Sequence, residues 1–341
     1  MDHPYLNVSD AEFTRRLHHV TYGVVAPLLV TSGIVGNLVF LPCLVAPQRW
    51  GVTRLFLVVL SSVDMSIMAG LIPTLVRLAA PTETIDTEPL ATYAAHVEQW
   101  LLTTTMCASV GVVLVLTVDR YTSVCRYVEF QRTQRREQAR RRLVAVGVVS
   151  VVVSLPCLFN SSTKEVAGGW AVDHHRTGGW KGYIIFSEVV TRLAPMVAGL
   201  LLNWRIALGF REMVARAEGR RPPGPGQQRG VSVASMPSMA AMEERAVSEE
   251  RQLIWLVAAI MVGLVLGMTP AAVTSCCLLY AERPSRALDV ATALANLLEI
   301  ANFSANYLFY LFFNKRLRKS LIDFYRNLFA APEKPVTIVN G

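Results

Sequence analysis

The sequence predicts an all-α membrane protein, a seven-transmembrane helix bundle with an amphipathic eighth helix. Of its 341 residues, 52% are hydrophobic and only 17% are charged, and the mean hydropathy is +0.38. A soluble chain usually carries about 25% charged residues. Seven stretches contain the roughly 20 mostly apolar residues that a helix needs to cross a bilayer. No internal repeat of about 20 to 50 residues stands out, which argues against a transporter built from repeats.

The seven predicted spans follow one another between residues 19 and 313. They are His19–Ala46, Thr53–Ala80, Thr92–Cys125, Arg142–Asn160, Gly182–Phe210, Gln252–Tyr280 and Ala287–Phe313. The fourth is the clearest, because its segment LVAVGVVSVVVSLPCLF carries no charge. Residues 1–18 are polar and lack the early apolar core of a cleavable signal peptide. They are predicted to form an extracellular N-terminus.

Two segments outside the spans have patterns of their own. Residues 217–250 include RRPPGPGQQRG, whose Pro and Gly residues predict a flexible third cytoplasmic loop. Residues 314–341 are predicted to form the amphipathic eighth helix and a cytoplasmic tail. In Lys315–Phe329, apolar residues recur at helical spacing among Arg and Lys. This pattern is typical of a helix that lies on the inner membrane surface.

The distribution of positive charge predicts the orientation of the chain. Residues 126–142 contain seven arginines, whereas residues 81–90 contain three acids and no Lys or Arg. Because cytoplasmic loops carry the excess of Lys and Arg, the N-terminus is predicted outside the plasma membrane and the C-terminus inside. Such loops explain the net charge of +8 better than nucleic-acid binding does. Asn7 and Asn160 begin sequons in segments predicted outside, which makes both candidate glycosylation sites.

Polar motifs occur inside the spans or at their ends in a fixed order. They are Gly36-Asn37, Leu60–Asp64 (LxxxD), Asp119–Cys125 (DRYTSVC), Pro195, Pro270 and Asn306–Tyr310 (NxxxY). Charges inside spans are costly and usually functional. Together, the motifs resemble those of the rhodopsin-like (class A) G-protein-coupled receptors over about Thr21 to Phe329. DRYTSVC, LLNWRI and LEIANFSANYLFYLFF are most similar to the peptide-receptor branch, near invertebrate FMRFamide-type and related orphan receptors.

The resemblance implies two functional sets of residues. The G-protein switch would comprise Asp119, Arg120, Tyr121, Glu250, Asn306 and Tyr310. The polar network that binds an allosteric sodium ion in inactive receptors would comprise Asn37, Asp64, Asn302 and Asn306. Simpler interpretations stay open: Asp64 could only bond neighbouring helices, Arg120 could be a snorkelling interfacial anchor, and Glu250 could be a solvated acid at a helix start.

The chain departs from the family pattern at several positions. The outer disulfide of the family is not expected, because Ala95 replaces the Cys of the third span and residues 167–181 contain no Cys. Met268 occupies the position of the family's Trp in the sixth span, and Tyr307 replaces the proline of the NPxxY motif. The resemblance therefore predicts an activation pathway with altered parts.

The resemblance places the ligand site in the outer half of the bundle. The candidate residues are Arg77, Glu98, Trp100, Glu188, Arg192, Met268 and Glu299. Leu102 stands where amine receptors carry an Asp, and the seventh span has no Lys for a retinal Schiff base. Glu188 and Arg192 are spaced for a helical ion pair, so pairing only with each other is the alternative to binding a ligand. The mixture of charges favours an extracellular short peptide or a small zwitterion.

The predicted function is that of a receptor, not an enzyme. The resemblance implies a heterotrimeric G protein as partner, arrestin as a further partner, and surrounding membrane lipids. The six His residues lie outside the spans or at their outer ends, so no metal cluster of a membrane hydrolase is expected. No cofactor is predicted, apart from the allosteric sodium ion. A seven-span transporter or channel is the alternative, and it would need a continuous polar pathway.

Overall fold

In the computed structural model, the described residues form seven long helical segments, α1 to α7, a shorter helix α8 and one β-hairpin. These residues are 8–45, 52–79, 87–126, 130, 136–174, 177–219, 239–281 and 285–329. The bounds of the helical segments are Val8–Val20, Thr21–Val25 and Ala26–Val45 for α1; Val52–Ala79 for α2; Glu88–Thr92, Tyr93–Glu98 and Gln99–Cys125 for α3; Arg136–Ser154 and Leu155–Phe159 for α4; Gly178–Glu188, Val189–Leu193 and Ala194–Gly219 for α5; Met239–Tyr280 for α6; Arg286–Ser304 and Asn306–Phe313 for α7; and Lys315–Phe329 for α8.

Six segments, α1 to α6, are long and apolar enough to cross a membrane. The predicted seventh span corresponds to α7, which consists of two shorter helices in sequence. The order of the helices and the amphipathic α8 confirm the predicted fold class.

Prolines account for irregular turns in α1 and α5. The π turns Thr21–Val25 and Val189–Leu193 both end two residues before a proline, Pro27 and Pro195. Proline has no backbone N–H, and its ring clashes with the carbonyl of residue i−4. The turn before each proline widens as a result. In α5, this widening rotates Glu188 and Arg192 relative to the rest of the helix.

Two segments contain more helix than their predicted assignments indicated. Residues 8–18, assigned to the extracellular N-terminus, are part of α1, where Thr14 Oγ1 donates a 3.1 Å hydrogen bond to Asp289 of α7. The predicted loop 217–250 is helical over residues 217–219 and 239–250, while residues 220–238 lie outside the described part of the chain. The segment MAAMEERAVSEER is rich in Ala and Glu, and its high helix propensity explains the early start of α6.

The helix of the predicted seventh span, α7, is interrupted at Ala305. This residue has φ −88° and ψ −6°. The helix tightens there, since Leu308 N–H donates to Ala305 C=O at 2.9 Å, a bond between residues three apart. The break precedes Asn306, whose side chain reaches Asp64 of α2.

A close approach of α1 and α7 depends on a glycine. A Cβ atom at Gly36 would lie 2.3 Å from the ring of Tyr307, so only glycine leaves room for this ring. The Tyr307 hydroxyl and Ser32 Oγ form a 2.9 Å hydrogen bond. The tyrosine that replaces the family's proline therefore packs against α1.

The segment between α4 and α5 forms an antiparallel hairpin that the sequence interpretation missed. Strands β1, Ser161–Val166, and β2, Gly169–His174, pair in register from Ser161 opposite His174 to Val166 opposite Gly169. Gly168 in the turn has φ +97°, a conformation that favours glycine. Trp170 and Val172 of β2 pack on Ala91 and Ala94 near the start of α3.

Helix α8 is capped and docked on α1. The side chain of Asn314 accepts hydrogen bonds from the backbone N–H groups of Arg316 and Leu317, both at 3.1 Å, and so caps the helix. Leu317 is buried, and the Tyr325 hydroxyl donates to the Val39 carbonyl at 3.0 Å. The apolar face of α8 thus packs against the bundle, while Lys315, Arg318 and Lys319 are exposed.

Candidate functional site

One end of the bundle holds a buried ion cluster around Arg120, which we call the Arg120 cluster: Asp119, Arg120, Glu250, Thr53 and Ser123. The guanidinium of Arg120 donates to both carboxylate oxygens of Glu250 on α6, at 3.1 and 3.2 Å. It also donates to Asp119 at 2.6 Å and to Thr53 of α2 at 3.0 Å. Arg120 is only 2% exposed. The cluster therefore connects α2, α3 and α6 at this end.

Thr53 and Ser123 were not among the sequence candidates. Ser123 Oγ donates a 2.6 Å hydrogen bond to Glu250, so the carboxylate of Glu250 is bound by two groups of α3. Neither residue carries a charge. Ser123 lies within the DRYTSVC motif, but the motif does not indicate that its hydroxyl faces Glu250. Tyr121 points away from the cluster, because its ring lies under the guanidinium of Arg126 at 6.0 Å.

A second polar cluster lies in the core around Asp64 of α2, which is fully buried. Asp64 accepts hydrogen bonds from Ser109 of α3 at 2.8 Å and from Asn306 of α7 at 2.6 Å. Hydrogen bonds to a carboxylate are stronger than neutral ones. The two donors therefore stabilise this buried carboxylate and couple α2, α3 and α7.

Two of the predicted network residues do not bond to Asp64. Asn37 donates to the Gly33 carbonyl of its own helix at 2.9 Å. Asn302 lies against α6, where a Cβ atom at Gly267 would come within 2.6 Å of the Asn302 Cβ atom. Ser109, which the sequence interpretation missed, donates a hydrogen bond to Asp64 instead. Tyr310 is completely buried, and its ring packs edge-on against Phe40 at 5.9 Å between centroids.

The opposite half of the bundle contains an ion triad between α5 and α7, which we call the Arg192 triad: Glu188, Arg192 and Glu299. Arg192 lies 3.1 Å from Glu188 and 2.9 Å from Glu299. The side chains of Arg192 and Glu299 are only 16% and 10% exposed. Glu188 and Arg192 thus do not pair only with each other. Two carboxylates share one guanidinium, which gives the triad a net charge of −1 when both acids are ionised.

The remaining ligand candidates occupy α2, α3 and α6. Arg77 and Glu98 form a two-pronged ion pair with both nitrogen–oxygen distances at 2.7 Å, and Thr74 donates to Glu98 at 2.6 Å. Trp100 is half-buried, with an indole nitrogen that lacks a hydrogen-bond partner. Met268 is completely buried and packs in the hydrophobic core, so a ligand cannot touch it without movement of its neighbours.

The cysteines and the sequons can be placed in part. All six cysteines are free thiols. The β-hairpin packs on α3 through Trp170 and Val172. A 2.7 Å hydrogen bond between His96 Nδ1 and the Leu158 carbonyl joins α3 to the end of α4, just before the hairpin. Asn160 is half-buried between α4 and β1, and Asn7 lies outside the described residues. In the described part of the chain, no group of three or more His, Cys, Asp or Glu side chains could hold a metal ion.

A seven-helix membrane bundle with a buried arginine cluster at one end and a buried ion triad in the other half defines a transmembrane receptor. The model of the seven-transmembrane receptors of the rhodopsin family matches residues 36–310. The chain belongs to this family.

Two relatives in Caenorhabditis elegans support the assignment. "Probable G-protein coupled receptor AH9.1" is 23% identical over 337 residues, which cover 93% of this chain and 78% of the relative. "Probable G-protein coupled receptor B0563.6" is 23% identical over 207 residues, which cover 57% of this chain and 48% of the relative. The family consists of membrane receptors that signal through G proteins and are not enzymes. The predicted receptor class is therefore confirmed.

Proposed function

We propose that this receptor lies in the plasma membrane with its N-terminus outside, and that it responds to a short peptide or small zwitterion that carries a cationic group. Binding of the ligand shifts an existing equilibrium between inactive and active conformations. Membership of the receptor family favours this function over a seven-span transporter or channel. The proposal rests on the Arg192 triad, which lies in the half of the bundle remote from the Arg120 cluster.

The charge balance of the triad determines the chemistry of the ligand. Burying an uncompensated charge is costly, and one guanidinium cannot neutralise two carboxylates. Glu299 Oε1 contacts Arg192 but forms no well-aligned hydrogen bond, so this buried oxygen has free acceptor capacity. An ammonium or guanidinium group of a ligand beside Glu299 would neutralise the triad. The exposed edge of the Arg77–Glu98 pair would accommodate the opposite charge of a peptide or zwitterion.

The ligand class can be tested with a panel of neuropeptides and amino acids on cells that express the full chain. We expect Glu299→Gln to lower the potency of cationic agonists on the order of 10- to 100-fold, because a hydrogen bond to a charged group contributes about 1.5–3 kcal/mol. Glu165→Gln, which neutralises an exposed acid of β1, is the matched control and should leave potency unchanged. If cationic agonists are as potent on Glu299→Gln as on the unaltered chain, or if only uncharged lipids activate the receptor, the proposed ligand class is refuted.

The signalling side of the proposal concerns the Arg120 cluster. The inactive conformation would be stabilised by the Arg120–Glu250 contact between α3 and α6. Separation of these helices would release Arg120 to engage a heterotrimeric G protein, with Tyr121, Asn306 and Tyr310 as further parts of the switch. The arginine-rich segment before α4 and the basic face of α8 would frame this contact, and arrestin would use the same end.

Two smaller assignments accompany the proposal. The Asp64 carboxylate and the amide oxygen of Asn306, which is buried without a hydrogen-bond partner, are oxygen donors of the kind that hard cations prefer. They fit a sodium ion that stabilises the inactive conformation, whereas Asn37 and Asn302 point elsewhere. N-glycosylation at Asn7 and Asn160 follows from the proposed orientation.

The orientation itself is open to a direct test. Because the basic segments are expected in the cytoplasm, an epitope tag before residue 1 should be labelled by antibody on intact cells. A tag after residue 341 should be labelled only after permeabilisation. The reverse pattern would contradict both the orientation and the proposed extracellular ligand.

Replacing Glu250 by alanine should raise basal signalling. The side chains of Arg120 and Glu250 are 3% and 23% exposed, so the pair is partly accessible to water. A pair of this kind contributes about 0.2–1 kcal/mol, which corresponds to an increase of up to roughly fivefold in the ratio of active to inactive receptor. Basal second-messenger production at matched surface expression measures this ratio.

Ser123→Ala is the matched control for the Glu250 substitution. It removes one hydrogen bond to Glu250 but keeps the ion pair with Arg120. We expect a smaller rise in basal signalling than in Glu250→Ala. If basal signalling in Glu250→Ala equals that of the unaltered chain, the contact does not hold the inactive conformation.

A further inference from the structure

The exposed face of α4 carries a groove that combines arginines with valines. Arg140, Arg141, Val144, Val148 and Val149 line an open groove of about 550 Å³. The three valines are 65%, 57% and 54% exposed. Because α4 is one of the segments apolar enough to span the membrane, these side chains face the lipid.

The spacing of the lining residues gives the groove a direction. Positions 140 and 141, 144, and 148 and 149 recur every four residues, so they lie on one face of the helix. The nine residues from Arg141 to Val149 extend over about 12 Å along the helix axis. The groove therefore has a charged mouth at its arginine end and an apolar wall that runs into the membrane.

The arginines at the mouth are available to bind an anion. Within the described part of the chain, Arg140 forms no ion pair. Arg141 pairs with Glu137 at 2.6 Å, but the two side chains are 77% and 72% exposed. An exposed helical pair of this kind is weak, so a stronger anionic partner can displace it. Two arginines and one glutamate leave a net charge of +1 at the mouth.

We propose that this groove is a binding site for one anionic phospholipid. The phosphate and the acidic headgroup contact Arg140 and Arg141, and the first part of an acyl chain lies along Val144, Val148 and Val149. A soluble anion would contact only the two arginines, and a zwitterionic lipid would contact mainly the three valines. The site rests on the proposed orientation, because anionic lipids are concentrated in the cytoplasmic leaflet, where they attract basic side chains.

Lipid retention by the purified full chain tests the proposal. Native mass spectrometry in mild detergent, with added phosphatidylserine or phosphatidylcholine, measures how much of each lipid stays bound. We expect tighter retention of phosphatidylserine. Arg140→Gln and Arg141→Gln should each weaken it on the order of fivefold, since a basic residue near an anionic surface contributes about 1 kcal/mol.

Matched controls separate this site from general charge attraction. Arg142→Gln removes the same charge from the neighbouring position but does not line the groove, and it should change retention little. Val148→Ser should weaken retention, whereas Val151→Ser, on an exposed part of α4 outside the groove, should not. Glycerophosphoserine without acyl chains should not displace the lipid.

Three results would overturn the proposal. They are equal retention of the two lipids, an equal loss in Arg142→Gln and Arg140→Gln, and displacement by glycerophosphoserine, which would indicate a site for soluble anions. The measurement needs no agonist and presents the lipid to both ends of the protein. If the proposed ligand class or orientation is wrong, the potency and labelling assays will show it, and the lipid-retention assay will be unaffected.

Discussion

Replacing Arg120 by alanine is expected to abolish G-protein signalling and to leave agonist binding intact. The guanidinium of Arg120 donates hydrogen bonds to Thr53 of α2, Asp119 of α3 and Glu250 of α6. Without it, the proposed active conformation has no buried cation to present to the G protein. Agonist-stimulated nucleotide exchange should fall at least on the order of 100-fold, because a hydrogen bond to a charged group contributes about 1.5–3 kcal/mol and Arg120 would make more than one.

The Arg120 substitution needs a control for folding. Asp119 is buried and loses its partner in Arg120→Ala, so part of any loss could come from instability. Saturation binding of a radiolabelled agonist at the cell surface separates the two effects. Arg318→Ala removes an exposed arginine of α8 that would only frame the contact, so it should reduce signalling far less than Arg120→Ala does. Normal signalling in Arg120→Ala would remove the basis of the proposed switch.

Replacing Arg192 by leucine is expected to destabilise the receptor by about 3–5 kcal/mol, because breaking a buried ion cluster leaves unpaired charges. Two carboxylates, those of Glu188 and Glu299, would then face each other without a cation. Thermal unfolding of the detergent-purified protein, together with surface expression, measures the loss. The triple variant with Glu188→Gln and Glu299→Gln should recover most of the stability, since it contains no buried charge at this place.

A stable Arg192→Leu variant would show that the two carboxylates are neutral or hydrated in the folded receptor. Failure of the triple variant to recover would instead indicate that Arg192 stabilises the bundle through packing of its aliphatic stem. The comparison of the two variants thus tests whether both carboxylates of the triad are ionised in the folded receptor. The proposed ligand chemistry depends on this charge balance.

The fold could be predicted from the sequence because membrane spans leave a strong local signal. Apolar length, basic loops and motif order placed all seven spans and α8. The hairpin β1–β2 was missed, although Gly168 and Gly169 between two strand-forming runs were a recognisable turn signal. The break at Ala305 carries no Gly or Pro. It immediately precedes Asn306, whose hydrogen bond with Asp64 is a tertiary contact that local patterns do not contain.

The residues of the candidate sites that could be predicted were their charged members and Asn306, because these occur in motifs. Arg120 and Glu250, which are 130 positions apart in sequence, meet as the motif spacing predicted. Ser109, Thr53 and Ser123 could not be found, because a hydroxyl residue is common in spans and its role depends on helix rotation. The same uncertainty explains why Asn302 was assigned to Asp64 although it faces α6. The spacing of Arg192 and Glu188 offered their pairing as one alternative, but the contact of Arg192 with Glu299 depends on the relative positions of α5 and α7.

The attachment of the β-hairpin to α3 has a consequence for how the receptor is made. A loop that is held by a disulfide depends on an oxidising compartment for that bond to form. Here Trp170 and Val172 hold the hairpin against α3, and the sequence has no cysteine in it. The attachment of this hairpin to α3 therefore requires no thiol oxidation.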